Sequence, residues 1–267
     1  MSTEAASDGG LRRRLLGAGV ALATGLGGCG LFKSHRSGDE AALGEAGSRQ
    51  QVIPFSASPP NGQIPHGWSN SGFWNSRRRT SFRTVSENDV TILEAEAEQS
   101  ASGLFCNVHI AAERARRLRW RWRTRELITD ADVSRPDRDD AVARVIVSFD
   151  GPAQSLSFKD MLFREQALLF AGIDLPHSML IYVWDTHLPV GSVYGIGETT
   201  RIKYLVAESG TQRLSQWVDY DRDLQLDFVK AFGEAHGNVL NVGVTTDAND
   251  THGYALSYYG DIRIDPT

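Results

Sequence analysis

Apolar and polar residues alternate with period two through most of the chain after residue 80. In LRWRWR, Leu118, Trp120 and Trp122 share one face; in ARVIVSF it is Val145, Val147 and Phe149, and in RIKYLVA it is Ile202, Tyr204 and Val206. Successive side chains of an extended chain point to opposite faces, so each segment reads as a half-buried strand. TSFRTV, VTILEAEA, GLFCNVHI, SMLIYVW, NVLNVGVTT and YALSYYGDIRI read as further strands, separated by turn-rich sequence such as SEND and SRPDRDD. Two segments have a helical period instead, FKDMLFREQALLF and RDLQLDFVKAFG. In the second, Leu224, Phe228, Ala231 and Phe232 recur at helical spacing, with Asp221 or Asp223 placed to cap the start. Many short strands with two short helices, and no alternation of strand with long helix, predict an all-β domain. The expected architecture is a jelly-roll-like antiparallel β-sandwich rather than a doubly wound sheet.

Upstream the pattern differs. Arg12, Arg13 and Arg14 precede an uncharged, Gly- and Ala-rich stretch from Leu15 to Gly28, which is shorter than the roughly 20 residues that span a bilayer. This reads as a secretory signal. Leu26-Gly27-Gly28-Cys29 resembles the bacterial lipobox, which implies that Cys29 is lipidated and becomes the first mature residue; a chance cysteine after an ordinary signal is the alternative. Arg12-Arg13 followed by Leu15-Leu16 also resembles a twin-arginine export signal. Gly30 lacks the acidic side chain that marks inner-membrane retention in proteobacterial lipoproteins, so the resemblance implies an outer-membrane lipoprotein facing the periplasm. The expected organisation is a signal over 1–28, a polar flexible tether over 29–51 and one sandwich domain over 52–267.

With Cys29 acylated, Cys106 has no intrachain partner, and its alternation with Leu104, Val108 and Ile110 makes it a small buried hydrophobe. The chain carries a formal charge of −5, and removing the leader takes away three arginines and only two acids. Bulk charge therefore gives no reason to expect a nucleic-acid partner.

GQIPHGW, SASGLF, LRWRWR, DRDDAVARVIVSF, IYVWD, FGEAHGNVLNVGVTTDANDT and YYGDIRI, in that order from about Pro54 to Ile264, resemble a bacterial group known as domain of unknown function family 3047. The resemblance implies secreted or lipid-anchored proteins with a jelly-roll sandwich similar to carbohydrate-binding modules, and no established activity. This chain departs from the group by its helical segment around Lys159 to Phe170 and by a dense row of arginines.

That row is the most unusual feature. Arg117, Arg119, Arg121, Arg123 and Arg125 all point away from the face that carries Trp120 and Trp122. Like charges so close require neutralisation. Either Asp130, Asp132, Asp137, Asp139 and Asp140 just downstream supply it, or Arg119, Arg121 and Arg123 line a groove for an anionic polymer such as lipopolysaccharide, since guanidinium forks match carboxylate and phosphate. Trp68 and Trp74 lie in a Gly-, Asn- and Ser-rich segment, and Trp184 with Asp185 and His187 lies at a strand end; Trp68, Trp74, Trp184 and His187 are the candidates for sugar contact. No nucleophile elbow, zinc-protease helix or C-x-x-C pair is present, and the adjacent Asp139 and Asp140 point to opposite faces of a strand. TTDANDTHG is read in two ways: a plain polar turn, or a loop holding a structural Ca²⁺ through Asp247, Asn249, Asp250 and Asp261. It is not an EF-hand, because Tyr258 occupies the position of the bidentate glutamate. These readings favour an outer-membrane-anchored periplasmic lipoprotein that requires no cofactor and binds envelope carbohydrate or another polymer. A glycan-active enzyme on the same scaffold and a structural envelope protein are the alternatives.

Overall fold

The computed structural model describes residues 49–72, 76 and 78–266. One sheet has seven strands in the order β1 (Ser69–Gly72), β4 (Ser102–Ile110), β11 (Val239–Asp247), β6 (Ala141–Phe149), β7 (Ser178–Asp185), β9 (Ile202–Ser209) and β8 (Val193–Gly195). The other has six, with β10 (Val218–Asp223), β5 (Arg117–Thr124), β12 (Tyr254–Tyr259), β3 (Val90–Glu98) and β2 (Ser81–Glu87) in line and β13 (Arg263–Asp265) also paired with β5. The two sheets form the expected jelly-roll-like β-sandwich, with one departure: β7 and β9 run parallel, so the sandwich is not wholly antiparallel.

Alternation along β5 decides what fills the space between the sheets. Leu118, Trp120 and Trp122 are buried there with Tyr182 and Trp184 of the opposite sheet. Trp120 stacks on Tyr220 with centroids 4.6 Å apart and meets Tyr182 at 4.9 Å, while Trp122 packs against Trp184 at 6.2 Å. Rings of this size dominate the apolar area of a core. Cys106 lies in the same core, and burial pushes its thiol up.

The seven-stranded sheet is covered on both faces. Val133, Ile146, Ile181, Val183, Tyr204 and Val206 form a second apolar cluster on its outer side, with Leu188 and Tyr194 packed against it. All nine residues of β6 are buried as a result, which explains the near-continuous apolar runs of β6 and β7.

Two helices flank the sandwich. In α1 (Phe158–Ala171) Ser157 caps the N-terminus by accepting from the Asp160 amide, and Gly172 closes the helix in the left-handed region with φ of 67°. Asp160 accepts hydrogen bonds from Ser157, Thr199 and Thr200, and these overcome burial to hold its carboxyl well below the usual range. Phe163 and Ala167 face the protein, whereas Phe158, Met161, Leu162, Leu168, Leu169 and Phe170 face outward. α2 (Leu224–Phe232) is capped by Asp223, one of the two residues expected to do so. The segment YALSYYGDIRI breaks into β12 and β13 at Gly260, where a Cβ would come within 2.5 Å of Arg121 Nε.

Candidate functional site

The outer face of the six-stranded sheet carries the arginine row. Asp221 of β10 lies opposite Arg119 in the ladder, and its carboxylate takes Arg117 at 2.8 Å and Arg119 at 3.2 Å. Arg119 also reaches Asp265 of β13 at 2.8 Å, and Arg123 reaches Glu87 at 2.8 Å. Neutralisation is thus internal, but the acids are not the downstream aspartates. Those are used elsewhere: Asp130 pairs with Arg138, Asp137 with Arg135, and Asp139 with Arg144.

The middle and end of the row differ. Arg121 and Arg125 form no salt bridge among the described residues. Arg121 instead lies 4.5 Å above the indole of Trp217, a half-buried residue one position before β10. Arg123 lies 4.8 Å from the same ring and 4.7 Å from Tyr258, distances at which a cation is attracted to an aromatic face. Trp217 Nε1 donates to Glu87 at 2.8 Å. Burial pushes the Glu87 carboxyl up, but the bonds from Trp217 and Arg123 outweigh it and leave it below the usual range. Tyr258 is opposite Arg123 on one side and Glu94 on the other, and Glu94 is opposite Arg83, which bonds it. Trp217, beside the start of β10, and Arg123, Tyr258, Glu94 and Arg83 of β5, β12, β3 and β2 therefore form one row.

On the outer side of the seven-stranded sheet, Arg144 is buried between Asp139, at 2.8 Å, and Asp247, which it also bonds. Tyr204 donates to Asp139 at 2.7 Å. Two carboxylates share one guanidinium, so burial wins for a proton: Asp139 is pushed up to about 6 and Asp247 to about 7.

That arrangement accounts for TTDANDTHG. Asp247 faces Arg144, Asn249 donates to Asp250, and Asp261 accepts from Ser56 at 2.9 and 2.6 Å. The turn is closed by Asp140, whose carboxylate accepts from the amides of Asp250 and Thr251 and the hydroxyl of Thr251. The four candidate calcium ligands are not brought together, and among the described residues no three Asp, Glu, His or Cys side chains are grouped for a metal.

The aromatic candidates are also redistributed. Trp68 is buried against Phe55, centroids 4.6 Å apart, and donates to the Ile53 carbonyl; Trp184 is 1% exposed and donates to the Gly210 carbonyl. Both are core residues rather than ligand platforms, because each buries its ring and satisfies its single N–H on backbone. His187 is exposed, near Asp132 at 3.6 Å and Asp185 at 3.9 Å. Asp185 itself is buried and accepts from the amides of His187 and Leu188, so it shapes the loop rather than serving as a free acid. Trp74 and Cys29 lie outside the described residues.

One arrangement had no sequence signature: Ser155 Oγ lies 2.8 Å from His177 Nε2. Arg201, which can only donate, bonds His177 Nδ1 at 2.9 Å. Nδ1 is therefore the acceptor and Nε2 carries the proton that goes to Ser155 Oγ, whose own proton goes to the Pro152 carbonyl at 2.8 Å. Burial and Arg201 lower the His177 pKa. The imidazole is oriented as a donor to the serine, the reverse of what a nucleophile's base needs.

Residues 66–263 match the family described as Protein of unknown function (DUF3047), and the chain belongs to that family. No curated protein matches the chain. Among solved structures, a β-1,2-glucanase from Parabacteroides distasonis is similar at 11% identity and a TM-score of 0.37, over 83% of this chain and 26% of that one. The chain thus spans about a quarter of the glucanase's length. A carbohydrate-binding module, CBM28, described as specific for non-crystalline cellulose, is similar at 8% identity and a TM-score of 0.32, over 82% of this chain and 94% of that one.

Proposed function

We propose that this member of the DUF3047 family is a binding module that holds an extended polymer, envelope carbohydrate or an anionic polymer such as lipopolysaccharide, along the outer face of its six-stranded sheet. A lipid on Cys29 holds the domain at the outer membrane, facing the periplasm. The observation that carries the reading is the cluster of Trp217, Arg121, Arg123 and Tyr258 at the β10 end of the cross-strand row. The row from Trp217 to Arg83 crosses four strand spacings, roughly 19 Å at ~4.8 Å each, which suits an oligomer rather than a single ring. Aromatic faces stack on the apolar faces of sugar rings, and guanidinium groups bond hydroxyls, carboxylates or phosphates. Arg121 keeps its donors open for that purpose.

Binding is favoured over glycan hydrolysis by the state of the acids. Glycoside hydrolysis needs one carboxyl kept protonated beside an ionised partner. Glu94 in this row and Glu87 beside it are each bonded by an arginine, and Glu87 is held ionised.

The test compares Arg121→Glu and Trp217→Ala with Arg119→Glu, using thermal melting and affinity electrophoresis in gels containing neutral glucans, heparin or lipopolysaccharide. Arg121→Glu keeps the wild-type melting temperature, Trp217→Ala lowers it because the indole is half-buried and bonded to Glu87, and both weaken retention at least tenfold. Arg119→Glu, which opposes Asp221 and Asp265, lowers the melting temperature and keeps retention. Wild-type chain retarded by none of the polymers, or retention untouched by Arg121→Glu and Trp217→Ala, refutes the assignment.

A further inference from the structure

We propose that the outward face of α1 lies in the headgroup region of a phospholipid surface, which, on the reading of Cys29 as the anchored residue, is the membrane that holds the domain.

α1 carries its apolar stripe on the side turned to solvent. Phe158, Met161, Leu162 and Leu169 stand at i, i+3, i+4 and i+11, which is one face of a helix. That face is bare: Phe158 is 78% exposed and Leu169 is 76% exposed, and Phe170 beside it is 84% exposed. The opposite face already fixes the helix to the domain, with Phe163 and Ala167 buried and Asp160 bonded to Thr199 and Thr200. The stripe is therefore a second apolar face on a helix whose packing is complete. Contiguous apolar side chains kept in water mark an interaction surface. At 14 residues α1 is about 21 Å long at ~1.5 Å per residue, short of the ~30 Å of a hydrocarbon core, so it lies along the interface instead of crossing it.

The position of α1 selects a lipid surface as the occupant. The helix follows the end of β6 at Phe149 and precedes the start of β7 at Ser178, residues that pair with each other, so it stands at one end of the seven-stranded sheet. The described chain enters at that same end. The His109 amide donates to the Arg49 carbonyl, and the neighbouring Ile110 pairs with Val239, which is itself opposite Phe149. Arg164 of α1 shares a recess with Leu240 and Asn241 of β11, and two strand spacings, roughly 10 Å at ~4.8 Å each, separate β11 from the backbone at Arg49. Cys29 precedes Arg49 by 20 residues, a length that spans at most about 70 Å fully extended. An acyl group on Cys29 draws this end of the sandwich, and α1 with it, toward the bilayer. A fluid surface accepts a convex row of side chains without a matching groove, which a second copy of the chain would have to supply. Glu165 lies within the stripe and is exposed; its charge opposes anionic headgroups, so the attraction is apolar and zwitterionic phospholipid suffices.

The test uses the full chain with an environment-sensitive fluorophore on Leu169→Cys, or on Asp137→Cys as the control, since the Asp137 side chain is 65% exposed and precedes β6 at the far end of the sheet. Cys106 is buried and stays unlabelled. Each chain, with Cys29 intact or as Cys29→Ser, is mixed with vesicles of phosphatidylcholine and phosphatidylethanolamine. The Leu169 label shifts to the blue and is quenched at least twofold by bromine on the acyl chains, and the Asp137 label does neither. Cys29→Ser needs more lipid to give the same shift. Phe158→Glu and Leu162→Glu, at exposed positions that keep the melting temperature, weaken vesicle binding of the Cys29→Ser chain at least tenfold. Vesicle binding that Cys29→Ser leaves unchanged, with the Leu169 label still shifted, removes the anchor and keeps the docking helix. A chain held on vesicles with its Leu169 label unmoved removes the helix and keeps the anchor. The proposal is also overturned if Phe158→Glu and Leu162→Glu bind vesicles as well as their parent, if the shift requires phosphatidylglycerol and disappears in high salt, or if it appears without lipid as the chain is concentrated, which would make a second copy the occupant.

Discussion

The buried cluster of Arg144, Asp139, Asp247 and Tyr204 makes stability respond to pH in an unusual direction. Most carboxylates in folded proteins are held below their unfolded pKa and stabilise the native state as pH rises. Here burial outweighs the shared guanidinium, and the two acids titrate as a unit at about 6 and about 7. Their folded pKa lies above the unfolded value of about 3.9. The folded protein therefore takes up a proton that the unfolded chain does not, and that contribution is fully present below about pH 4 and lost as pH rises through 6 to 7. One proton with a midpoint of about 6 to 7 amounts to roughly 1.4–2.7 kcal/mol between pH 5 and pH 8. His177 works the other way: its folded pKa is lowered by burial and Arg201, so it removes stability as pH falls below its unfolded value. The informative quantity is the difference between wild type and Asp139→Asn, in which His177 cancels and the neutral amide still fits between Arg144 and Tyr204. Urea unfolding at pH 5, 6, 7 and 8, with free energies from linear extrapolation, gives a wild-type advantage that is larger at pH 5 than at pH 8 by more than 1 kcal/mol. A difference that stays flat across this range, or grows toward pH 8, refutes the reasoning.

Two other outcomes follow from the loop and the leader. Asp140→Ala removes the acceptor of three hydrogen bonds and lowers stability by roughly 2–4 kcal/mol, while melting ignores both Ca²⁺ and EGTA; an ion bound only to the folded state at a hundred times its Kd would add about 2.7 kcal/mol, and a calcium-dependent rise of that size would restore the metal reading. Cys29→Ser moves the protein from the membrane fraction to the soluble fraction; a serine variant that still sediments with membranes and is released by detergent rules out acylation at that residue.

The sandwich was legible because its signal is local. Period-two alternation placed Leu118, Trp120 and Trp122 inside and five arginines outside, and the fold agrees for Arg117, Arg119, Arg121 and Arg123, while Arg125 lies just past the end of β5. The partners of those arginines were not legible, because strand neighbours are long-range: β5 lies between β10 and β12 with β13 alongside, not beside the aspartate-rich segment that follows it in sequence. β10 itself escaped notice. Its sequence, VDYDRD, offers only Val218 and Tyr220 as apolar residues, yet it delivers Asp221 to the row. Trp217 was missed with it, though it is the aromatic residue that Arg121 covers. The error at Trp184 was avoidable, since it keeps parity with Leu180 and Tyr182, both core residues. Trp68 carried no such signal; its Gly- and Asn-rich neighbours read as a loop, and only the fold reveals Ile53 and Phe55 beside it.

The two sheets differ in what covers their outer sides, and that difference locates the chemistry. On the seven-stranded sheet, side chains from the 128–140 and 186–200 segments close over the surface, so Arg144 had to be matched by carboxylates at once, and what remains open is a recess at the sheet's end. On the six-stranded sheet the row is only partly covered: Glu94 and Tyr258 are buried, while Arg117, Arg119 and Arg121 are half-buried, and their partly exposed ion pairs contribute little to stability. A row of like charges kept only for the fold would be neutralised along its whole length. This one is neutralised at Arg117, Arg119 and Arg123, while among the described residues Arg121 and Arg125 form no salt bridge, and Arg121 lies over the half-buried indole of Trp217. The guanidinium of Arg121 thus stays available to a ligand beside ion-paired neighbours, and a substitution at Arg121 should therefore register in binding before it registers in stability.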